Sequence, residues 1–576
     1  VQDQRNLLLA IVLSVAILFV FQTLFAPPLP PPGATIGEAA IETADEPVPP
    51  GEAATDSVGD APVPADAVVE ADASPRLAID PAGRGRVSGS IALRGGRIDE
   101  LSLLDYRETL DPESARIELF TRQQSARPYY ADFGWIGSGV AVPDADSLWT
   151  ADRDALSPGR PVTLTWDNGA GLIFERSIAL DDNYMFTVSQ RVRNESGTEV
   201  TLHPYGRVSR TGEPTTLGFF ILHEGPLGVF VKEVGKKGTL EEVDYEDLRE
   251  NPSIKRTTTG GWIGITDKYW LTALVPSPKV EATARFHYSG SNGRDRFQVD
   301  YWLPAVTIVP GAVESAESRL FVGAKEVTLL DIYEEELGIE RFDLAVDFGW
   351  FYFLTKPIFY VLHSFYGWIG NFGVAILLLT VIIKLLFFPL ANKSYVAMSK
   401  LKKLQPQMMD LRERFGDDKQ KLNAEVMALY KREKANPLAG CLPIVVQIPV
   451  FFALYKVLFV SIEMRHAPFY GWIQDLSAPD PTNLFNLFGL LPFTPPEFLA
   501  LGIWPLLMGL TMFLQQKLNP TPPDPMQARI MMMLPLIFVF LFATFPAGLV
   551  IYWTWNNVLS IAQQWVIMRR MGVKAG

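Results

Sequence analysis

Residues 376–403, ILLLTVIIKLLFFPLANKSYVAMSKLKK, decide how the chain is read. An apolar run carries one cation, Lys384, with Thr380 one helical turn before it. The run ends at Pro389 and passes directly into a basic, helix-forming segment. Lys384 is the only charged residue between Lys356 and Lys393 apart from the titratable His363. A cation at the centre of a bilayer-length helix costs about 2.5–3.5 kcal/mol, so it marks a functional site by default. Lys384 also stands only five residues before Pro389, where a lysine can snorkel to the headgroups. Spacing alone leaves both readings open.

The 576-residue chain is 48% hydrophobic, and the apolar residues gather in residues 7–25 and in several runs after residue 350. That is the pattern of a membrane protein with a large water-soluble insert. Net charge is −13, but residues 27–75 hold acids and no Lys or Arg, whereas residues 391–436 are basic. Local charge is therefore more informative than the total. The single cysteine, Cys441, excludes an intrachain disulfide framework and any cysteine-based zinc cluster.

Residues 1–26 place Arg5 before a long apolar run, read as an uncleaved transmembrane anchor with a cytoplasmic N-terminus. Residues 27–75, rich in Pro, Ala and acids, read as a disordered linker. Residues 76–335 read as all-β: Leu172 and Phe174, then the turn Asp181-Asp182-Asn183, then Tyr184, Phe186 and Val188. Their length suits one large sandwich or two packed β-units. His203, His223 and His287 are too scattered to argue a metal site, and HExxH, GxSxG and GxxxxGK[ST] motifs are absent, so no metal, cofactor or catalytic residue is expected. Phe342, Val346, Trp350 and Phe353 recur at spacings of four, four and three, which predicts an amphipathic helix over 336–355. Such a helix suits the membrane interface and equally a site against the β-domain.

Beyond Lys356 the apolar runs predict spans at about 358–388, 440–460, 498–516, 530–546 and 548–567, six with the anchor. The domains expected are a second transmembrane helix in 356–390, a cytoplasmic hairpin in 391–437, helices three to six in 438–570 and a short cytoplasmic tail, 571–576. Lys400, Lys402, Lys403, Arg412 and Arg414 make the hairpin basic, and Arg569 and Arg570 do the same for the tail. The positive-inside rule then puts both on the cytoplasmic side and the β-domain on the other, the periplasm in a bacterium. Ala397, Leu401, Leu404, Met408, Leu411 and Phe415 form a coiled-coil-like seam, answered by Leu422, Val426 and Leu429, and Pro406 should kink or weaken the first hairpin helix. Gln447, Thr511, Gln515, Gln516, Asn556, Asn557, Gln563 and Gln564 lie among the spans. Either a water-filled recess open to the cytoplasm or pairing between helices satisfies them.

QRNLL at the N-terminus, FFPLANKSYVAMSKLKKLQPQM, RERFGDDKQKLNAEVMALYKREKANPLAGCLPIVVQIPVFFALY and RHAPFYGWIQDLSAPDP stand out. So do DPMQARIMMMLPLIFVFLFATFPAGLVIYW and NNVLSIAQQ. In these stretches the chain resembles the bacterial YidC membrane protein insertases, in their Gram-negative form. The resemblance implies a polytopic α-helical membrane protein with six transmembrane helices, five forming the core. It also implies a large periplasmic β-supersandwich domain and a cytoplasmic helical hairpin. It implies a positively charged hydrophilic groove open to cytoplasm and lipid, with Lys384 where the family usually has arginine; lysine keeps the charge and loses the bidentate fork. Thr380, Gln447, Phe451, Leu454, Gln515, Tyr552 and Trp553 are the implied client contacts. The implied partners are nascent membrane proteins, Sec translocon components, the ribosome, the signal recognition particle receptor and membrane lipids, with no specific nucleic acid. A transporter and a membrane-anchored carbohydrate-binding protein are the alternatives. The few ionisable residues in the outer halves of the spans speak against a transporter.

Overall fold

Residues 172–180 show why the first half of the chain is sheet: every second side chain, from Leu172 through Phe174, Ile178 and Leu180, is buried and those between are not. In this computed structural model the described residues are 74–214, 222–232, 235–291, 294–349, 351–415, 418–433, 442–491, 493, 501–519 and 525–572. The expected anchor, nearly all of the linker, Cys441 and the end of the tail lie outside them. Two large sheets, an 11-stranded and a 9-stranded one, face each other over a continuous apolar core. Pairing is antiparallel throughout, save where Arg76–Ile79 meets Ala155–Leu156. The expected turn is present: the Asp181 carboxylate accepts from the N–H groups of Asn183 and Met185, each at 2.9 Å.

A charged row crosses four neighbouring strands of the larger sheet. Arg207 is the register partner of both Asp132 and Asp300, and Asp300 that of Arg285. All four are buried. Arg207 grips Asp132 through Nε at 2.9 Å and Nη2 at 2.6 Å, and Arg285 Nη2 reaches Asp300 at 2.7 Å. Burial alone raises the Asp132 carboxyl, but the Arg207 guanidinium outweighs it and holds the group below the usual carboxylate range.

Among the described residues nine helices follow the sheets: α1 (Val327–Leu337), α2 (Tyr352–Ile369), α3 (Phe372–Leu386), α4 (Phe388–Phe415), α5 (Lys419–Arg432), α6 (Leu442–Val460), α7 (Ile503–Leu518), α8 (Pro525–Phe542) and α9 (Ala547–Arg570). No single helix among the described residues is long and apolar enough to cross a membrane, though α3 and α4, bent by 69°, pass that test together.

Two expectations are corrected here. The amphipathic helix over 336–355 is not formed. Gly338 ends α1 in the left-handed region, a short 3-10 turn covers Phe342–Ala345, and Phe342 and Val346 are buried against the β-domain core. The long span over 356–390 is two helices. Gly370, at φ 72°, closes α2, and the Asn371 side chain accepts from the Val374 N–H at 3.0 Å to start α3. Pro406 lies inside α4, and the bend between α3 and α4 falls at Phe387, just ahead of Pro389.

The β-domain and the helices meet through ion pairs. Lys456 Nζ lies 2.8 Å from Asp347 Oδ2, and Lys356 Nζ lies 2.9 Å from Asp331 and 2.6 Å from Asp343. Arg465 Nη2 donates to the Arg107 carbonyl at 2.6 Å. Glu463 Oε1 accepts from the Val327 N–H, the first of α1, at 3.0 Å.

Candidate functional site

Along α9, Tyr552, Asn556, Ser560 and Gln564 recur every four residues, and all are buried. Such spacing puts them on one face of the helix. Each of three reaches a different element. Gln447 Nε2 of α6 donates to the Tyr552 hydroxyl at 3.3 Å. Lys384 Nζ of α3 donates to Ser560 Oγ at 2.7 Å, and Ser560 in turn donates to the Asn556 carbonyl at 2.8 Å. Gln564 Nε2 donates to Asn519 Oδ1, just past α7, at 3.1 Å. One step off the stripe, Asn557 Nδ2 donates to Thr511 Oγ1 of α7 at 3.2 Å. The last helix is thus the polar spine to which α3, α6 and α7 are tied.

Among the described residues no carboxylate lies within ion-pair distance of Lys384. Its ammonium has a hydroxyl partner and a largely buried stem, close to the end of α3 where the chain turns. Gln516 Oε1, Gln563 Nε2 and Gln564 Oε1 are buried polar atoms without a hydrogen-bond partner among the described residues.

The structure brings Gln447 to Tyr552, and Phe451 to Trp553 in an edge-to-face pair 4.8 Å between ring centroids. Thr380 stands one turn before Lys384 on α3 but is not hydrogen-bonded to it. The Thr380 hydroxyl is directed within its own helix, to the Ile376 carbonyl at 2.7 Å. Leu454 is fully buried in the core and Gln515 half-buried on α7. Ser560 was not singled out from the sequence. Its signal is the spacing of four from Asn556 and to Gln564, which a search for long polar side chains passes over.

In the hairpin, Leu401, Leu404 and Met408 of α4 close on Leu429 of α5, with Leu411 beside them. Two of its cations cap membrane-domain helices: Lys403 Nζ donates to the Met571 carbonyl at 2.8 Å and Lys402 Nζ to the Lys517 carbonyl at 3.5 Å. Cations there complement the negative ends of α9 and α7. Lys400, Arg412 and Arg414 are exposed, and Arg414 lines a cleft between α4 and α5 with Asp410, Glu425 and Arg432. The carboxylates of Asp331, Glu334 and Asp343 converge, but Lys356 bonds two of them, so their charge is already met by a cation of the chain.

Residues 84–361 match the family model described as the YidC periplasmic domain, and residues 364–574 match that of the 60Kd inner membrane protein. A membrane protein insertase YidC from Methylobacterium nodulans is 54% identical over 87% of this chain and 83% of its own length. The chain belongs to the YidC family. Two further YidC insertases extend the likeness over 99% of the chain: that of Bradyrhizobium diazoefficiens, 49% identical and covered over 97% of its length, and that of Granulibacter bethesdensis, 50% identical and covered over 98%. Membership sets the β-domain in the periplasm and the chain in the inner membrane.

Proposed function

We propose that this membrane protein insertase uses Lys384 as an uncompensated cation that receives the acidic or polar flank of a client while the client's apolar segment enters lipid beside α3, α6 and α9. The observation that carries the reading is the pairing of Lys384 with a hydroxyl rather than a carboxylate. A hydroxyl orients the ammonium and leaves its charge for an incoming anion. The unpartnered amide atoms of Gln516, Gln563 and Gln564 call for water on the same side, which supports a wet recess reaching toward the cytoplasm. Such a recess shortens the apolar distance that the flank crosses. Burial of the client's own helix, at about 25 cal/mol per Å², drives the transfer, and the membrane potential favours outward movement of an acidic flank. No bond is made or broken, so the work is that of an insertase and chaperone rather than an enzyme.

The topology that fits is six spans with both termini cytoplasmic: the anchor, α3 with the start of α4, then α6, α7, α8 and α9. In this arrangement α2, with Phe353 and Trp368 exposed, lies along the outer interface. At 1.5 Å per residue α3 is about 22 Å long against a hydrocarbon core of about 30 Å, so the bilayer thins around it or the bent continuation completes the crossing. Lys400, Arg412 and Arg414 face the cytoplasm and suit the ribosome, the signal recognition particle receptor or anionic headgroups. Sec translocon components are the partner for larger clients.

Lys384 replaced by Ala, Glu or Arg, in the full chain in vesicles, tests the reading with a single-span client bearing an acidic N-terminal tail. Ala and Glu should slow insertion by about tenfold or more, corresponding to about 1.4 kcal/mol or more, and Arg should preserve it. Normal insertion by all three, with the protein folded, would show that the charge is not the working group.

A further inference from the structure

Between α6 and α7 the chain runs PTNLFNLFGLLPF over residues 481–493, thirteen residues without a charge. Its base is fixed by one buried carboxylate. Asp480 Oδ1 accepts from Trp472 Nε1 at 3.1 Å and from the Thr482 hydroxyl at 2.7 Å, and Oδ2 accepts from the Trp504 N–H at the start of α7 at 2.8 Å. The Thr482 hydroxyl oxygen accepts from the Ile503 N–H at 3.0 Å, and the Leu484 N–H donates to the Leu501 carbonyl at 2.8 Å. Both limbs of the loop are therefore joined to each other and to the helix that follows.

Beyond that base the loop holds its own shape. Asn483 accepts from the Phe485 N–H with its side chain and from the Phe488 N–H with its carbonyl, at 2.9 and 2.8 Å. Leu487 and Phe488 both stand in the left-handed region, at φ 52° and 60°, where bulky side chains are strained. The result is a tip whose apolar side chains point outward: Leu490 is 82% exposed, and Phe485, Leu487, Phe488 and Phe493 are exposed too. At its base Tyr470 and Trp472 are also exposed, an aromatic pair of the kind found at headgroup level.

From these observations we infer that the 481–493 loop is a preformed wedge seated in the outer leaflet of the bilayer, its Leu and Phe side chains among the acyl chains. The inference rests on the reading of α6 and α7 as spans. A fixed, uncharged, apolar tip hydrogen-bonded at its base to the start of α7, whose Leu507, Leu510 and Leu514 are exposed, suits phospholipid, and its lack of charge leaves nothing to select a polar partner. Such a wedge fixes the depth and tilt of α7 from the periplasmic side.

The test uses the full chain with Cys441→Ser and one dye-labelled cysteine in phosphatidylethanolamine–phosphatidylglycerol vesicles carrying nitroxide on the acyl chains. Leu490→Cys reports the tip, Ile537→Cys on α8 reports a span, and Glu314→Cys reports the aqueous β-domain. The tip probe should lose about half its emission, close to the loss at the span probe, as expected at a depth of roughly 5–10 Å, while the Glu314 probe keeps its own. A quenched span probe with an unquenched tip probe would overturn the wedge alone. Blue-shifted tip emission without quenching would mean that protein covers the loop, and also overturns it. If neither probe is quenched, the spans themselves are misassigned and the wedge falls with them.

Discussion

The two halves of this molecule bury polar groups by different rules. Across the larger sheet of the β-domain a row of charge meets opposite charge, Asp132 with Arg207 and Asp300 with Arg285, each through a guanidinium fork, while elsewhere in the domain Lys325 donates to the Thr266 hydroxyl and Arg176 to the Gly96 carbonyl. In the helical core the partners are neutral: amide with phenol, amide with hydroxyl, and the one cation of α3 with a serine. In a sheet closed over an apolar core, paired charges satisfy each other where water does not reach. Among the described helices, the cation of α3 has no such counter-charge. Lys325 of the β-domain shares the hydroxyl partner, so what sets Lys384 apart is its place on α3 among the apolar helices.

Three changes would break or sharpen that contrast. The largest effect is expected in the β-domain. Asp132→Ala leaves Arg207 buried without its carboxylate and should destabilise the domain by about 3–5 kcal/mol, whereas Asp132→Leu combined with Arg207→Met should cost far less. Chemical denaturation of the full chain in detergent, followed by near-ultraviolet circular dichroism, measures both. Equal losses would mean that the ladder acts through packing and not through charge.

The seam between the halves comes next. Glu463 obeys neither rule: one oxygen takes the Val327 N–H and the other, Oε2, is buried without a partner. Burial pushes its carboxyl from an ordinary 4.5 up to about 7, against the opposing effect of its backbone hydrogen bonds. The folded state therefore favours the protonated form. Its contribution is complete below about pH 4.5 and is lost as pH rises through about 7. Relative to Glu463→Gln, the wild-type chain should lose on the order of 3 kcal/mol across that window, read from melting temperatures at stepped pH. Parallel pH profiles of the two proteins would remove Glu463 as the titrating group.

The smallest effect in energy is the most direct test of the open charge. Ser560→Asp imports the β-domain's rule into the core by giving Lys384 a carboxylate. Insertion of a client with an acidic tail should slow by about tenfold, about 1.4 kcal/mol, while Ser560→Asn leaves it near wild type. Unchanged insertion with Asp would mean that clients do not need the free charge.

The sequence discloses these halves unequally. Alternation in 172–180 and the acidic turn at 181–183 carry the sheets, because a strand declares its buried face every second residue. The hairpin core at Leu401, Leu404, Met408 and Leu429 is legible for the same kind of reason. The break at Gly370-Asn371 is written in the residues as a left-handed cap followed by an N-cap, yet a hydropathy window averages across it and reports one long span. Phe342 and Val346 show helical spacing, but Phe342 packs on Trp262 and Phe321 of distant strands and Val346 is buried in the same core, which no local period encodes. At the candidate site Lys384 announces itself by its cost in lipid. Its partner Ser560 lies 176 residues away and is too small to draw notice alone.

The bend at Phe387 has a mechanical consequence. Past it, α4 is 28 residues long, about 42 Å, and Lys384 lies on the short arm of the elbow. Turning α4 about that point by one degree carries the Phe415 end roughly 0.7 Å while the Phe388 end hardly moves. The hairpin is thus geared down: a large excursion at its tip arrives beside Lys384 as torque with little travel. Lys402 and Lys403, bonded midway along that lever to the ends of α7 and α9, are placed to brake it.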